Sequence, residues 1–203
     1  MKNPLGRYHE NMRGNLRFLV DIIERHGVAL RSVQRRVGAH YGLQPVHLQT
    51  LVYLERANRY SNTPQALAEY LGLTKGTVSQ SLLLLHNKKL IKRVQDETDK
   101  RVVRLALSTK GERLVQAARL HEEWEQIAKF ISPTRLRITY LVLQETWDTM
   151  RTQSGGGSFG VCQGCTYHER EGQRTHRCGL TGERLNIAET KLICREHLPR
   201  GQR

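Results

Sequence analysis

All four cysteines of this 203-residue chain lie near its C-terminal end, and their spacing is typical of a metal site. Cys162 and Cys165 are separated by two residues, Cys178 follows after 12 residues, and Cys194 follows after a further 15. A Cys-x-x-Cys pair supplies two thiolates from one tight turn, which suits a tetrahedral zinc ion and an iron–sulfur cluster equally. Residues 159–198 contain few large apolar side chains. We therefore expect this segment to need a metal or a cluster to hold its fold.

The ligand set that the sequence favours consists of the four thiolates, Cys162, Cys165, Cys178 and Cys194. A second set replaces Cys178 with His197, which follows Cys194 closely. His168 and His176 lie between the cysteines and are expected to be ordinary surface residues. The spacing is uneven, whereas a zinc ribbon brings two close pairs, so a cluster also fits. Zinc is the commoner occupant of small four-ligand modules and is slightly favoured.

The identity of the metal would decide what this segment does. A closed zinc site would be structural or would present an interaction surface, whereas a cluster would make the protein a sensor of redox state, oxygen or iron. A catalytic zinc needs an open coordination position and a nearby acid–base group. Glu169, Glu171 and Glu196 are available, but any charged segment would supply such residues. We therefore predict that the chain is not an enzyme.

A second stretch, residues 73–107, has the pattern of a helix followed by a basic two-stranded hairpin. Thr74 is a good N-cap, because its hydroxyl can accept a hydrogen bond from the backbone N–H of Thr77. Alternating apolar residues over 103–107, after a polar turn, predict the second strand. The helix face that we expect to be exposed carries donors suited to base edges and phosphates: Lys75, Thr77, Ser79 and Gln80.

The residues before this stretch complete a helix-turn-helix. An apolar stripe predicts a helix over 5–25 that ends at Gly27, and a basic helix over 29–40 follows. The arginines of the basic helix are expected to be solvated, although they would also suit phosphate or a dimer partner. Thr63 then caps a helix with Pro64 at its first position, and a tight turn leads into the helix after Thr74.

The stretch 73–107 also resembles the winged helix of the multiple-antibiotic-resistance regulator (MarR) family. The matching pieces are 73–74 (LT) before the helix, 77–79 (TVS) inside it, 89–93 (KLIKR) entering the hairpin, 96–101 (DETDKR) at its tip and 107–111 (LSTKG) leaving it. The resemblance covers roughly residues 40–150 and does not extend to the Cys-rich segment.

This resemblance implies a homodimeric winged helix-turn-helix transcriptional regulator that binds a double-stranded DNA operator and represses transcription. In the family the wing arginine reaches a minor groove or phosphates, and the acid two positions earlier braces it; here these residues are Arg101 and Asp99. The acidic residues at the hairpin tip are also explained by the ordinary preference of aspartate for turns. The predicted DNA-binding residues are Thr74, Lys75, Thr77, Ser79, Gln80, Lys100 and Arg101. Several MarR relatives bind small aromatic acids, so a small-molecule effector is a secondary expectation.

The helices after the hairpin are predicted to carry the dimer contact. Thr109 and Glu112 fit a capping box for a helix over 109–130, and Ser132 caps a further helix with Pro133 at its first position. The apolar residues of that last helix are spaced alternately by four and three: Leu136, Tyr140, Leu143, Trp147 and Met150. This heptad-like seam suits a dimer, which the family resemblance favours, although a core-facing helix gives the same spacing.

Three regions follow from these patterns. Residues 1–152 form a MarR-like DNA-binding and dimerisation domain, 153–158 a flexible Gly/Ser linker, and 159–203 the Cys-rich metal- or iron–sulfur-binding module. The predicted fold class is mainly α with a small β wing, in a winged helix-turn-helix dimer with a small metal- or cluster-stapled C-terminal module. We expect a signal at that module to reach the DNA-reading helices through the helices over 109–130 and 134–151.

The composition limits which partners and which cellular location can be expected. The net charge is +14, most of it in the first 110 residues, which favours a polyanionic partner modestly over a merely soluble basic protein. The sequence has no long apolar run and no apolar signal core at its N-terminus, so a cytoplasmic location without membrane contact is expected. Two other function classes stay open: a DNA-bound scaffold whose zinc module recruits a partner and, less favoured, a metal-dependent enzyme.

Overall fold

The computed structural model describes residues 4–97, 99–117, 126, 128–153, 155, 157–172 and 174–200. The chain divides into two units, Met1–Leu48 and Gln49–Arg203. The described elements are mainly helices, with one antiparallel hairpin in the middle of the chain and a group of short strands near its C-terminal end. This agrees with the predicted class, mainly α with a small β wing. No described helix is long and apolar enough to cross a membrane.

The first unit is dominated by one helix of 37 residues, α1 (Pro4–His40). The prediction of two helices separated at Gly27 is therefore wrong. An interior glycine costs a helix about 1 kcal/mol relative to alanine, which weakens the helix without breaking it. The Arg31 guanidinium lies 3.2 Å from the place where a Cβ of Gly27 would stand, so it covers the bare backbone. The helix ends where the Leu43 N–H donates to the Gly38 carbonyl at 2.8 Å.

The second unit begins inside α2 (Pro45–Arg56) and continues into the helix-turn-helix. α3 (Pro64–Leu71) is capped by Thr63, whose hydroxyl accepts a backbone N–H at 3.2 Å. Gly72 ends α3 with a φ of 64°, in the left-handed region that glycine adopts at little cost. α4 (Lys75–Asn87) follows. The predicted helix, turn and helix are confirmed, together with the predicted cap.

The wing is an antiparallel hairpin of β1 (Ile91–Gln95) and β2 (Val103–Leu107). The buried apolar side chains of α4, the hairpin and the turn between them are Val78, Leu82, Leu85, Leu90, Ile91 and Leu105. β2 is also tied to the connection between α2 and α3, because the Leu105 N–H donates to the Asn62 carbonyl at 2.7 Å. The base of the wing is thus held against the residues that precede α3.

α5 (Thr109–Ala117) leaves the wing, and its cap lies one residue earlier than predicted. The Ser108 hydroxyl, not that of Thr109, accepts a backbone N–H of the first turn, from Gly111 at 3.0 Å. The same hydroxyl donates to the Lys89 carbonyl at 2.7 Å, so contact with the start of the wing selects Ser108 as the cap. The predicted Thr109–Glu112 capping box is therefore wrong. Most of the predicted helix beyond residue 117 lies outside the described residues.

The last long helix, α6 (Pro133–Gln153), begins as predicted. The Ser132 hydroxyl accepts the Arg135 N–H at 3.4 Å, and Pro133 occupies the first position. All five residues of the predicted seam are exposed in the single chain: Leu136, Tyr140, Leu143, Trp147 and Met150. The seam is therefore not a stripe that faces the core of its own chain.

The C-terminal segment consists of short strands around the cysteines. β3 (Gly160–Val161) pairs with β7 (Ile193–Cys194), and three further strands form an antiparallel sheet: β4 (His168–Arg170), β5 (His176–Cys178) and β6 (Arg184–Leu185). Short 3₁₀ turns, Cys162–Gly164 and Glu189–Lys191, precede β4 and β7. Strands of two and three residues supply little hydrogen bonding of their own, so the segment relies on what it packs against.

This segment packs on the winged helix. Ile193 forms a parallel bridge with Ala57, at the end of α2. The buried Phe159 ring stands edge-on to Tyr70, with 5.4 Å between the ring centroids. Ser158, the last residue of the predicted linker, is buried and lies 2.5 Å from the His197 ring. The C-terminal end of the linker is therefore fixed by packing, whereas flexibility was expected.

Candidate DNA-binding surface and four-cysteine site

The first half of α4 presents polar side chains to solvent. The Thr74 hydroxyl accepts the Thr77 N–H at 3.2 Å, as predicted, and lies 3.0 Å from the Thr77 hydroxyl. Val78 and Leu82 are buried on the opposite side, and their packing decides which face of α4 is exposed. The predicted DNA-contacting residues of this helix are all exposed: Thr74, Lys75, Thr77, Ser79 and Gln80. One helix face thus carries hydroxyl, amide and ammonium donors.

A cleft beside α4 adds a cation that the sequence reasoning did not place in the site. Lys75 and Ser79 line this cleft together with Arg93 of β1 and Gln65 of α3. Arg93 is exposed, so its charge adds to that of Lys75 along one surface. The signal in the sequence that points to Arg93 is the basic run over residues 88–93.

Arg101 projects from the wing tip with 90% of its side chain exposed. Its Nε donates to one carboxylate oxygen of Asp99 at 3.0 Å, and its Nη2 donates to the other at 3.1 Å. These side-chain bonds, and then the Arg101 backbone N–H, hold the pKa of Asp99 below its ordinary value. The acid two positions before the wing arginine therefore contacts it as the family resemblance implied. Lys100 is exposed beside it, and Thr98 lies outside the described residues.

A second ion pair lies where the two strands of the wing meet its tip. The Asp96 carboxylate accepts the Arg104 Nε at 2.6 Å and the Asp99 backbone N–H at 3.1 Å. Arg104 also donates to the Arg59 carbonyl at 2.5 Å and to the Asn62 side chain at 3.4 Å. Arg104 thus ties the wing to the connection between α2 and α3. The alternation of the strand gives no sign of this role, because Arg59 and Asn62 lie 45 and 42 positions away in the sequence.

The four cysteines meet at one enclosed cavity. All four line it as free thiols: Cys162, Cys165, Cys178 and Cys194. They come from the 3₁₀ turn after β3, from β5 and from β7, so the fold brings together thiols that are far apart in the chain. Burial, and then the neighbouring cysteines, raise the pKa of Cys162 to about 12. A bound cation would offset this cost of forming thiolates.

The donor set agrees with a metal centre in number and kind, since four thiolates serve zinc and iron–sulfur clusters alike. Among the residues that the structure describes, however, no three His, Cys, Asp or Glu side chains are grouped so as to hold a metal ion. The thiols line a shared cavity, but their sulfur atoms do not converge on a single position. The metal centre therefore stays a prediction.

His197, the alternative ligand, is engaged elsewhere. Its Nδ1 lies 2.5 Å from the Ser158 hydroxyl, and its ring also hydrogen-bonds the backbone of Gly164. Burial lowers the pKa of His197. A Cβ at Gly160 would overlap the imidazole, so glycine is required for this close approach. These contacts give His197 a packing role beside the cysteines, and they favour the ligand set of four thiolates.

His168 and His176 form a pair next to the cavity, which differs from the expectation of ordinary surface residues. Their rings are stacked with centroids 5.0 Å apart, and His168 Nε2 lies 3.0 Å from His176 Nδ1. His168 lines the cavity. Its Nδ1 is the one buried side-chain nitrogen or oxygen without a hydrogen-bond partner among the described residues. Cross-strand pairing of β4 with β5 brings the two rings together.

Polar contacts also join the C-terminal segment to the winged helix, and no pattern in the sequence predicts them. Arg59 pairs with Glu189 at 2.5 Å. The Tyr60 hydroxyl contacts the Glu183 carboxylate and lies 3.1 Å from the Thr181 hydroxyl. All these winged-helix partners belong to the connection between α2 and α3, which the sequence presented only as a polar break. That connection is therefore the platform on which the C-terminal segment docks.

The helix-turn-helix and the first part of the wing match a known family. Residues 41–102 match the family model described as MarR family. This region is similar to the winged helix of the MarR family. A MepR mutant from a multidrug-resistant S. aureus clinical isolate is similar in structure, with 25% identity, a TM-score of 0.56, and coverage of 66% of this chain and 96% of that one. No curated protein sequence matches the chain.

Two further MarR-type structures have the same fold. A S. aureus MepR–DNA complex has 24% identity and a TM-score of 0.52, and the match covers 66% of this chain and 94% of that one. A MarR transcriptional regulator from Methanosarcina mazei Go1 has 22% identity and a TM-score of 0.54, with 67% and 99% covered. Each MarR relative is matched over almost its whole length, so about a third of this chain is additional to the shared fold.

Proposed function

We propose that this chain is a homodimeric, sequence-specific DNA-binding transcriptional regulator of the MarR type that acts as a repressor. The observation that carries the proposal is the combination of an exposed donor face on α4 with an exposed, carboxylate-braced Arg101 at the wing tip. A helix with such a face fits a major groove, and a basic wing reaches the adjacent minor groove or phosphates. The S. aureus MepR of similar fold was solved in complex with DNA.

The predicted DNA-contacting residues fall into two chemical groups. Thr77, Ser79 and Gln80 are uncharged donors and acceptors that suit base edges, and they are assigned to sequence readout. The other predicted contacts, to phosphates or the minor groove, are made by Thr74, Lys75, Lys100 and Arg101. Arg93 joins this second group, because it is exposed in the cleft beside Lys75.

Two arguments support the proposed homodimer: the geometry of helix-turn-helix binding to DNA and the exposed apolar seam of α6. Two reading helices that contact half-sites about 34–36 Å apart bind a near-palindrome far better than one helix does. The exposed apolar seam of α6 is the surface assigned to the partner copy. Contiguous apolar side chains of this size are costly to leave in water, so burying them between two copies is favourable.

We further propose that the four thiolates hold a metal centre, with an iron–sulfur cluster ahead of a single zinc ion. The thiols border one enclosed cavity and come from separate turns and strands. A [4Fe–4S] cluster binds each thiolate through a different iron and so accepts more widely spaced sulfurs than one ion does. Anaerobic purification with metal analysis tests this. A brown protein with a broad band at about 400 nm would indicate a cluster, whereas a colourless protein with one zinc per chain would replace it by a structural zinc site.

The DNA-binding proposal is tested with Arg101→Ala on the full chain, against a duplex selected by the wild-type protein from a randomised pool. We expect affinity to fall by about 5- to 100-fold at matched salt, which corresponds to about 1–3 kcal/mol. Arg174→Ala is the control, because it removes an equal charge from the turn between β4 and β5. If Arg101→Ala bound the duplex as tightly as the wild-type protein, the wing assignment would be wrong.

A further inference from the structure

α6 is attached to the rest of its own unit near one end. Residues 133–143 are all exposed, and Asp148 is the one buried residue of the helix. The half-buried residues also lie in its second half: Gln144, Thr146 and Arg151. Within the part of the chain that the structure describes, the orientation of α6 therefore depends on the contacts near its C-terminal end.

Arg151 joins this end of α6 to α3. Its Nη1 donates to the backbone carbonyl of Glu69 at 3.1 Å, and its Nε donates to the Gly157 carbonyl at 3.0 Å. The Glu69 carbonyl is among the last four of α3, which a helix leaves without an internal partner. The donors of a guanidinium stand in a rigid fork, so two simultaneous bonds fix its position and orientation.

Aromatic rings surround the same guanidinium. The Arg151 Cζ lies 5.3 Å from the centroid of the Phe159 ring and 5.7 Å from that of Trp147. Phe159 is buried and stands edge-on to Tyr70, the residue after the carbonyl that Arg151 binds. Trp147 belongs to the apolar seam, and its Nε1 donates to the Ser158 carbonyl at 3.0 Å. Arg151 therefore links a residue of the seam to the last turn of α3.

The angle between α6 and α3 decides where the reading helix stands in a dimer. α3 packs directly against α4, and in the proposed dimer the seam of α6 is fixed against the partner copy. A helix of 21 residues is about 30 Å long, so a rotation of about 10° at one end moves the other end by about 5 Å. Neighbouring base pairs of DNA are separated by only about 3.4 Å. A small change of this angle is therefore enough to shift a reading helix by one base pair.

We propose that Arg151 fixes the angle between α6 and the helix-turn-helix and thereby determines which half-site spacing the homodimer accepts. This inference rests on the proposed homodimer and its DNA-binding function. Arg151 is a positioning residue, because it acts through Glu69 and α3 and contacts no base. It controls the distance between the two half-sites, whereas the exposed face of α4 reads the bases within each of them.

The test compares full-length wild-type protein and Arg151→Ala on duplexes that differ only in half-site spacing. The wild-type protein selects a near-palindromic duplex from a randomised pool, and one or two base pairs are then inserted or removed at its centre. Affinities are measured by fluorescence anisotropy at matched salt. The readout is the ratio of the affinity for the selected spacing to the affinity for each altered spacing. The lost charge weakens binding to all duplexes alike and cancels in this ratio.

For the wild-type protein we expect one inserted base pair to lower affinity about tenfold or more. The insertion moves the half-sites apart by about 3.4 Å and rotates them by about 35°, so the DNA has to be deformed to restore the fit. In Arg151→Ala the same insertion should lower affinity about threefold or less, because a helix-turn-helix freed from α6 can turn to follow the half-sites.

Arg195→Ala is the matched control. It removes an equal charge that also binds Glu69, but Arg195 joins that carboxylate to the C-terminal segment and not to α6. Its spacing ratio should stay at the wild-type value. If Arg151→Ala fails to fold by circular dichroism, Arg151→Gln serves instead, because glutamine favours the helix and lacks the forked donor. It should reduce the ratio at least several-fold.

Each outcome bears on a different proposal. A wild-type protein that binds no duplex, or that binds as a monomer, overturns the proposed function and this inference with it. A wild-type dimer that accepts all spacings equally overturns the inference alone. A wild-type ratio that persists in Arg151→Ala, or in Arg151→Gln where that variant is used, overturns the role of Arg151. An equal loss of the ratio in Arg195→Ala also overturns it, because loosening of α3 in general would then be the cause.

Discussion

One guanidinium nitrogen of Arg195 donates to both carboxylate oxygens of Glu69, at 3.0 and 2.9 Å, and thereby joins the C-terminal segment to α3. Arg151 of α6 donates to the backbone carbonyl of the same glutamate at 3.1 Å. The first helix of the helix-turn-helix is therefore held by two elements that come after the wing in the chain. The C-terminal segment and α6 are therefore part of the support of the DNA-binding region.

Replacing Arg195 with alanine is expected to lower the free energy of unfolding by about 1 kcal/mol, the upper end for partly exposed ion pairs. The side chains of the pair are 24% and 38% exposed, so solvent screens it only in part. Urea denaturation of the full chain measures the change. Arg25→Ala removes the ion pair with Asp21, whose side chains are 71% and 51% exposed. This variant should lower the free energy of unfolding by at most about 0.3 kcal/mol. Equal losses in the two variants would show that the docking pair adds no more stability than an exposed ion pair does.

The cap of α5 gives a second stability prediction. Ser108→Ala removes the hydroxyl that binds Gly111 and Lys89, so we expect a loss of about 1 kcal/mol, within the range for N-cap serines. Thr109→Ala is the matched control and should change the free energy of unfolding by less than about 0.5 kcal/mol, because Thr109 is exposed. The same urea experiment measures both. A larger loss in Thr109→Ala would restore the capping box that the sequence suggested.

The parts of the fold that could be read from the sequence are those fixed by local chemistry. Thr63, Thr74 and Ser132 cap helices as their types and positions predict, because a cap bond spans only three residues. The pairing of Asp99 with Arg101 is equally local. In contrast, the continuity of α1 through Gly27 was not predictable from the residue type, because an interior glycine weakens a helix without having to end it.

The docking of the Cys-rich segment was not predictable for a different reason. Asn58 and Ser61 are short polar residues in the connection between two helices. Such residues are common in turns, so their presence gives no sign of a distant partner. Their partners lie more than 130 positions away, at residues 193–195. No periodicity or motif links such positions, so only the folded chain shows that they meet. The four cysteines were found from the sequence because thiol chemistry itself marks them.

Asp99 offers a test of the wing that leaves the charge of Arg101 in place. Asp99→Ala frees the guanidinium from its carboxylate, and we expect operator affinity to fall by less than about tenfold, since the cation is kept and only its pre-organisation is lost. The bracing bonds lower the pKa of Asp99. The Asp99 carboxylate is therefore ionised and bonded to Arg101 above the ordinary carboxyl pKa of about 3.9. These bonds are lost only as pH falls through the lowered pKa of Asp99. Asp99 should add no pH dependence to wild-type affinity between about pH 5 and 8, and a brace-dependent fall in affinity within that window would contradict this assignment.

The α6 seam can be tested by inserting a charge. Leu143→Glu would place a carboxylate in the apolar surface assigned to the partner, so we expect a monomer by light scattering where the wild-type protein is a dimer. Thr149→Glu inserts the same charge on a part of α6 outside the seam and should leave the dimer intact. Helical content by circular dichroism should be equal in both. A dimeric Leu143→Glu variant would move the partner surface away from this seam.

The two candidate ligand sets differ in their response to Cys178→Ser and His197→Ala. If the four thiolates hold the metal, Cys178→Ser loses most of the bound metal, because one of four ligands is gone. His197→Ala keeps the metal stoichiometry but lowers the free energy of unfolding by about 2 kcal/mol, since the ring packs against Gly160 and binds Ser158. Metal analysis and urea denaturation give the two readings. Full metal in Cys178→Ser together with metal loss in His197→Ala would establish the set in which His197 replaces Cys178.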